Sequence, residues 1–106
     1  MKQLKLFLQS AKAENPTAEF LIATAPPSLF ERKVPNTYVA EYSQDIIDAA
    51  SVNNYAVWNL YAQMGGYQSV NRNFRKGLMA NDKVHYSKLG YEMQGDLLSQ
   101  AILKLF

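Results

Sequence analysis

The sequence predicts an α/β fold in which a parallel sheet is covered by helices on both faces. Two short apolar runs, residues 19–24 and 55–60, lack the alternation of a half-exposed strand and are typical of strands buried on both faces. Three amphipathic segments, residues 2–14, 37–51 and 88–105, alternate with these runs. Helices that alternate with buried strands form a parallel sheet between helical layers, so the order α-β-α-β-α predicts that architecture.

The first helix is predicted over residues 2–14. Its apolar side chains recur at the spacing of one helix face, at Leu4, Phe7, Leu8 and Ala11. Asn15-Pro16 ends the helix, because proline cannot continue a helix and disfavours helical backbone in the residue before it. Lys5 interrupts the apolar run, which argues against a signal peptide, and the compartment stays undetermined.

The other two helices have apolar rows of the same kind. For residues 37–51 the row is Val39, Tyr42, Ile46 and Ala49 or Ala50. For residues 88–105 it is Leu89, Met93, Leu97 and Ala101. Residues 25–36 and 61–86 are predicted as loops, the second with one or two helical turns. A loop as long as the second is usually functional when it lies inside a compact domain.

Composition limits the classes of function. The chain has 106 residues, which suits one small domain, and 48% of them are hydrophobic, which suits a globular fold. A net charge of +2 does not indicate nucleic acid or an anionic membrane as a partner. No apolar run approaches the roughly 20 residues of a membrane span. With no cysteine and one histidine, the chain has no Cys- or His-rich metal site.

The segment 81–91 holds that single histidine, His85, with Asp82 three residues before it and a predicted N-cap, Ser87, after it. Histidine is the natural proton shuttle near neutral pH, and a catalytic histidine needs an acceptor on its far ring nitrogen. Asp82 can reach that nitrogen across one tight turn. The alternative is a surface pair that hydrogen bonds without chemistry.

Topology places this pair at the same edge as the strand ends. In a parallel sheet the site lies beyond the carboxyl ends of the strands. Here those ends lead to residues 25–28, to Asn59 and onward, and through the long loop to Asp82 and His85.

Asp82-Lys83-Val84-His85, followed by an aromatic residue, a serine, two residues and Gly90-Tyr91, closely resembles the last block of the SGNH (GDSL-type) hydrolases. In that family the Asp and His of a Ser-His-Asp triad stand in this order before the C-terminal helix. The resemblance reaches back to about Lys2, and it covers only the second half of the family's domain. It implies a three-layer flavodoxin-like architecture, of which residues 1–106 form the C-terminal part of a larger domain.

The resemblance also implies a function. The family members are acylhydrolases and esterases, so Asp82 and His85 are expected to be catalytic, with no metal or organic cofactor. Trp58 at a strand end, followed by Met64, Gly65 and Gly66, resembles the subgroup acting on acetylated carbohydrates, such as peptidoglycan O-acetylesterases. These four residues are candidate substrate-binding residues for a small ester or an acetylated carbohydrate. The alternative is that Trp58 fills the core and the glycines form a turn.

The sequence contains no serine in a known nucleophile motif. None of the seven serines lies in Gly-Asp-Ser or Gly-x-Ser-x-Gly, and only Ser28 and Ser69 are on loops near the predicted site. The isolated chain is therefore predicted to be inactive. Two other interpretations stay open: a non-catalytic α/β binding or assembly module, and a fragment that assembles with another chain.

Two further expectations concern surfaces. The first strand, residues 19–24, lacks the neighbour that the missing half would supply, so we expect a homodimer through its exposed edge. A basic cluster at Arg72, Arg75, Lys76, Lys83 and Lys88 either attracts an anionic substrate or forms a solvated face.

Overall fold

The computed structural model describes residues 2–104, and within that range the chain forms five helices and four short strands. In chain order these are α1 Lys2–Glu14, β1 Leu21–Ala23, β2 Leu29–Phe30, β3 Val34–Pro35, α2 Thr37–Asn53, β4 Ala56–Trp58, α3 Leu60–Gln63, α4 Val70–Arg75 and α5 Lys88–Leu103. The predicted alternation of three long helices with two strands is confirmed. The one or two helical turns expected in the long loop correspond to α3 and α4, and α3 begins at Leu60, which was predicted as the end of the second strand. Leu105, the predicted last residue of the final helix, lies outside the described residues.

The central sheet consists of β1 and β4, which pair in parallel as predicted. Leu21 lies opposite Ala56 and Ala23 opposite Trp58, and the Thr24 N–H donates to the Trp58 carbonyl at 2.9 Å. The prediction that residues 19–24 are buried on both faces is wrong, because Leu21 is 53% exposed. The face of the sheet that carries Leu21 is incompletely covered. Separately, β1 pairs only with β4 among the described residues, which leaves its outer edge open.

The loop that follows β1 contains an antiparallel hairpin of β2 and β3, which the sequence did not predict. Its turn is closed by a hydrogen bond from the Lys33 N–H to the Phe30 carbonyl. The central residues Glu31 and Arg32 have φ of 52° and 63°. Hairpin turns of this backbone are recognised in sequences by Asn-Gly or Asp-Gly, and Glu-Arg has neither.

The helices begin and end as local sequence requires, but tertiary packing changes which face is inside. The Asn36 side chain caps α2, and Asn54 ends it in left-handed conformation at φ 57°. Of the apolar row predicted for α2, Ile46 and Ala50 are buried whereas Tyr42 is 52% exposed. The buried position one residue after Tyr42 is Ser43, so the inward face is rotated from the predicted one.

The same correction applies to α1 and α5. Leu8 is the buried residue of α1, and Phe7 in the predicted apolar row is 67% exposed. In α5 the predicted row is wrong at Leu89 and Met93, which are 55% and 37% exposed, because α5 packs through Gly90 instead. An added Cβ at Gly90 would collide with the Leu78 carbonyl oxygen.

The buried core lies at the carboxyl edge of the sheet rather than around the two strands. Its members come from β2, from the segment 64–79 and from the residue after the histidine: Leu29, Met64, Val70, Met79 and Tyr86. This core therefore supports the loops that carry the predicted site. Within residues 2–104, none of the helices combines the length and apolarity that crossing a membrane requires.

Candidate functional site

Asp82 and His85 lie at the tip of a hairpin-like loop, which we call the histidine loop (residues 79–86). Met79 and Tyr86 form an antiparallel bridge at its base. Above the bridge the Ala80 N–H donates to the His85 carbonyl at 2.9 Å. This backbone pairing closes the loop that carries the two candidate catalytic residues.

One carboxylate organises the tip of the histidine loop. Asp82 Oδ1 accepts hydrogen bonds from the backbone N–H groups of Val84 and His85, each at 2.9 Å. Asp82 Oδ2 lies 2.6 Å from His85 Nδ1. The intervening Lys83 has φ of 55°, which lets the chain turn tightly enough for the imidazole to meet the carboxylate.

The electrostatics of the pair follow from these contacts. The hydrogen bond from the His85 side chain, followed by those from the backbone N–H groups of His85 and Val84, holds the pKa of Asp82 well below its usual range. The carboxylate is therefore an acceptor near neutral pH and directs the proton of a neutral imidazole to Nδ1. The opposite nitrogen, Nε2, is left to take up or release a proton. The His85 side chain is 70% exposed, so Nε2 is accessible.

The buried side chain of Tyr86 anchors the histidine loop. The Tyr86 hydroxyl donates to the Pro27 carbonyl at 2.7 Å, and burial raises the pKa of this phenol to about 12. The Leu29 N–H donates to the Lys83 carbonyl at 3.1 Å, which adds a second connection to the segment after β1. Sequence reasoning noted Tyr86 only as a neighbour of the histidine, because its partner is 59 residues away.

The helix after the loop begins where the sequence predicted. The Ser87 hydroxyl accepts a hydrogen bond from the Gly90 N–H at 3.1 Å, so Ser87 is the N-cap of α5. The same hydroxyl donates to the Gly77 carbonyl at 2.6 Å. Ser87 therefore acts as a structural link between the loop, the preceding segment and α5.

The four candidate substrate-binding residues have different environments. Trp58 ends β4 and is half-buried, whereas Met64 is 3% exposed and belongs to the core, which suits it to positioning the loop. Gly65 and Gly66 form a turn with φ of 110° and 72°. A Cβ at Gly65 would lie 2.6 Å from Ser69 Cβ, so this turn requires glycine. Among the described residues, no hydrogen bond joins any of these four residues to Asp82 or His85.

The loop serines do not complete a triad with Asp82 and His85. Ser69 is 3% exposed and its hydroxyl donates to the Gly66 carbonyl at 2.7 Å. Among residues 2–104, no serine hydroxyl, that of Ser28 included, forms a hydrogen bond with the His85 side chain.

In the basic cluster, Lys83 has specific contacts. Its Nζ donates to Asn71 Oδ1 at 3.2 Å and lies 4.9 Å from the centre of the Phe74 ring. The other members of the basic cluster, Arg72, Arg75, Lys76 and Lys88, are exposed.

The chain is similar to known proteins in structure. Neither a protein-family model nor a curated protein matches the sequence significantly. Among solved structures, the chain is similar to one described as "Peptidoglycan O-acetylesterase in action, 5 min", with 25% identity and a TM-score of 0.85. It is also similar in fold to the esterase domain of the ZfL2-1 ORF1 protein from the zebrafish ZfL2-1 retrotransposon, with 14% identity and a TM-score of 0.72.

The two matches cover nearly all of this chain but only part of each solved chain. The first covers 93% of this chain and 29% of the solved chain, and the second covers 97% of this chain and 56% of the solved one. This chain therefore spans less than two thirds of each of these two solved chains. The resemblance to the SGNH hydrolases is confirmed at the level of fold, and the chain has the α/β fold of part of such a domain.

Proposed function

We propose that this chain contributes the acid and base of a Ser-His-Asp ester hydrolase, with Asp82 as the acid and His85 as the base. The observation that carries the proposal is the 2.6 Å contact between Asp82 Oδ2 and His85 Nδ1, at a loop tip where the imidazole is exposed. The two similar structures, both described as esterases, support the same class of reaction.

In the proposed mechanism, His85 Nε2 accepts the proton of an attacking serine and later returns it to the leaving alcohol. Asp82 keeps the imidazole in the correct tautomer and stabilises the imidazolium that forms in between. Residues 1–106 are, in this proposal, the C-terminal part of a larger hydrolase domain. The serine and the oxyanion-hole donors come from the other part, since the present sequence contains no Gly-Asp-Ser.

The proposed substrate is an O-acetylated carbohydrate. Support comes from the name of the first similar structure and from Trp58, which ends β4 at the carboxyl edge. In this proposal Gly65 and Gly66, which form the turn after α3, approach the ligand through their backbone. Met64 positions this loop from the core. The proposed mechanism uses no metal or organic cofactor.

The test compares the isolated chain with the complete protein that contains it. The isolated chain is expected to hydrolyse no small acetyl ester, because it lacks an activated serine and an oxyanion hole. In the complete protein, His85→Ala should lower kcat by several orders of magnitude, and Asp82→Asn by about 10⁴-fold, as triads do elsewhere.

Asp48→Asn is the matched control, because Asp48 is an exposed carboxylate on α2 whose side chain, among residues 2–104, accepts a hydrogen bond from Gln44 alone. Its kcat should match the wild type. If the complete protein hydrolyses esters and His85→Ala leaves kcat within about tenfold, the assignment is wrong. Rapid turnover by the isolated chain that disappears on mutation of Ser28 or Ser69 would show that the nucleophile is present after all.

The second candidate function is assembly without chemistry. It is favoured by the outer edge of β1, which has no partner strand among the described residues, and by the exposure of Leu21 on the same strand. A strand edge with unpaired backbone groups is a template for another strand. In solution we propose that the isolated chain forms a homodimer through this edge.

A further inference from the structure

A cleft of about 470 Å³ lies beside the β2–β3 hairpin and has no role in the proposed chemistry. Its lining comes from the hairpin, the start of α2 and the segment before α4: Phe30, Val34, Pro35, Thr37, Tyr38 and Tyr67. Its three aromatic rings are well exposed, at 43% for Phe30, 68% for Tyr38 and 55% for Tyr67. Clustered exposed rings of this kind often mark a binding surface.

The hairpin turn that positions Phe30 has a strained backbone. Glu31 and Arg32 both have φ in the left-handed region, which costs non-glycine residues roughly 1–2 kcal/mol each. This turn sets Phe30 opposite Val34 across the hairpin. Phe30 in turn packs edge-to-face on Tyr38, with ring centres 5.9 Å apart. Strain that holds exposed aromatic side chains in place favours a functional interpretation of the cleft.

The cleft continues toward the histidine loop. Pro35 also lines a neighbouring cleft of about 290 Å³, whose other walls include Leu29 and Asn71. Asn71 Oδ1 accepts a hydrogen bond from Lys83 Nζ, and the Leu29 N–H donates to the Lys83 carbonyl. Lys83 directly follows Asp82 in the chain. The aromatic cleft is therefore connected, through the second cleft and its contacts with Lys83, to the residue next to Asp82.

The lining selects an uncharged, amphipathic ligand. It contains no charged side chain, and it offers hydroxyl groups from Thr37, Tyr38 and Tyr67 beside aromatic and aliphatic surface. A pyranose ring has a matching surface, with C–H groups on its faces and hydroxyls around its rim. The volume is within the roughly 300–1,000 Å³ that small-molecule sites occupy. Tyrosine suits such contacts because one end of its side chain is apolar and the other is polar.

We infer that this aromatic cleft binds a sugar ring of a glycan whose ester-bearing residue lies at His85. The inference deepens the proposed function and rests on it, because a carbohydrate ester is the proposed substrate. The cleft fixes the position of the glycan, and the histidine loop acts on the ester. Tyr38 and Tyr67 are the residues that bind the ring.

The test measures binding without hydrolysis. The ¹⁵N-labelled 106-residue chain is titrated with the trisaccharide of N-acetylglucosamine, which has no O-acetyl ester. Saturable amide shifts are expected at Val34, Thr37 and Tyr67. Tyr38→Ala should raise the Kd at least about fivefold, and Tyr38→Phe, which keeps the ring, should stay within about twofold. The matched control is Tyr42→Ala, an exposed tyrosine one helical turn further along α2 and outside the cleft.

Three outcomes would overturn the inference: no saturable shift at these amides, equal effects of Tyr38→Ala and Tyr42→Ala, or shifts produced by a peptide but not by the trisaccharide. The result can be separated from the proposed function, because no ester is cleaved. Binding that persists while the complete protein lacks esterase activity would contradict the proposed function alone. Hydrolysis that depends on His85 while the trisaccharide fails to bind would contradict this inference alone.

Discussion

At the scale of single residues, Asp82 has two structural tasks that share one carboxylate. Oδ1 closes the turn through the backbone N–H groups of Val84 and His85, and Oδ2 orients the imidazole. Asp82→Asn keeps an oxygen for the turn but loses the negative charge beside Nδ1. This substitution therefore separates the folding role of the residue from its proposed role toward the imidazole.

The lowered pKa of Asp82 predicts how the pair responds to acid. An ordinary aspartate titrates near pH 3.9, so on acidification the unfolded chain takes up this proton first. The stabilisation by ionised Asp82 is therefore complete above about pH 4 and is lost as pH falls through its lower folded-state value. In a ¹³C NMR titration, the Asp82 carboxyl should have a midpoint clearly below about pH 3.9.

The control for this titration is His85→Ala, which removes the first cause of the shift but keeps both backbone donors. Its Asp82 midpoint should move up toward the ordinary value without reaching it. A wild-type midpoint at the ordinary value would mean that the contact with the imidazole does not persist in solution.

At the scale of secondary-structure elements, α5 is positioned by the absence of one side chain. Gly90 is buried in the first turn of α5, and a Cβ there would meet the Leu78 carbonyl oxygen and lie 3.0 Å from a ring carbon of Tyr86. Since Leu78 also accepts the Ser87 N–H, the contact fixes α5 against the base of the histidine loop.

Gly90→Ala should destabilise the fold even though alanine is the better helix former. The gain in helix propensity is about 1 kcal/mol, whereas displacing the Leu78 backbone costs about 1–3 kcal/mol, so the steric cost dominates. Urea unfolding should give a lower free energy of unfolding for this variant. Gly95→Ala is the matched control on the same helix, because an added Cβ there meets nothing within 4 Å. Its free energy of unfolding should rise by up to about 1 kcal/mol. Equal effects of the two substitutions would refute the close contact.

At the scale of the whole molecule, the chain is extended and leaves apolar surface uncovered. Its radius of gyration is 15.3 Å, against about 13 Å for a compact domain of this length. The uncovered residues include Phe7 on α1 and Leu21 on β1. A two-stranded sheet with an open, uncharged edge is expected to recruit a further strand.

Self-association through β1 is therefore expected in solution. Light scattering across a micromolar dilution series should give a dimer mass that decreases on dilution, and hydrogen exchange at residues 20–23 should be slower in the dimer. Leu21→Lys places a charge on the edge strand and should favour the monomer. Val52→Lys, at an 81% exposed site on α2, is the matched control and should leave the dimer intact. A monomeric mass with slow exchange at residues 20–23 would show that the chain covers this edge itself.

Features that depend on neighbours a few residues apart could be predicted from the sequence. The three long helices, the Ser87 cap and the parallel strands follow from spacing and from turn residues. The contact between Asp82 and His85 was predictable for the same reason, because only two residues separate them and one turn brings their side chains together.

Features that depend on residues distant in sequence could not be predicted without the tertiary structure. Whether Tyr42 or Ser43 faces inward depends on what packs against α2, and helical spacing cannot specify that partner. The β2–β3 hairpin turns through Glu31 and Arg32, whose left-handed backbone is offset by surrounding contacts rather than by local preference. The Tyr86 anchor likewise requires the Pro27 carbonyl, which only the completed fold brings within hydrogen-bonding distance.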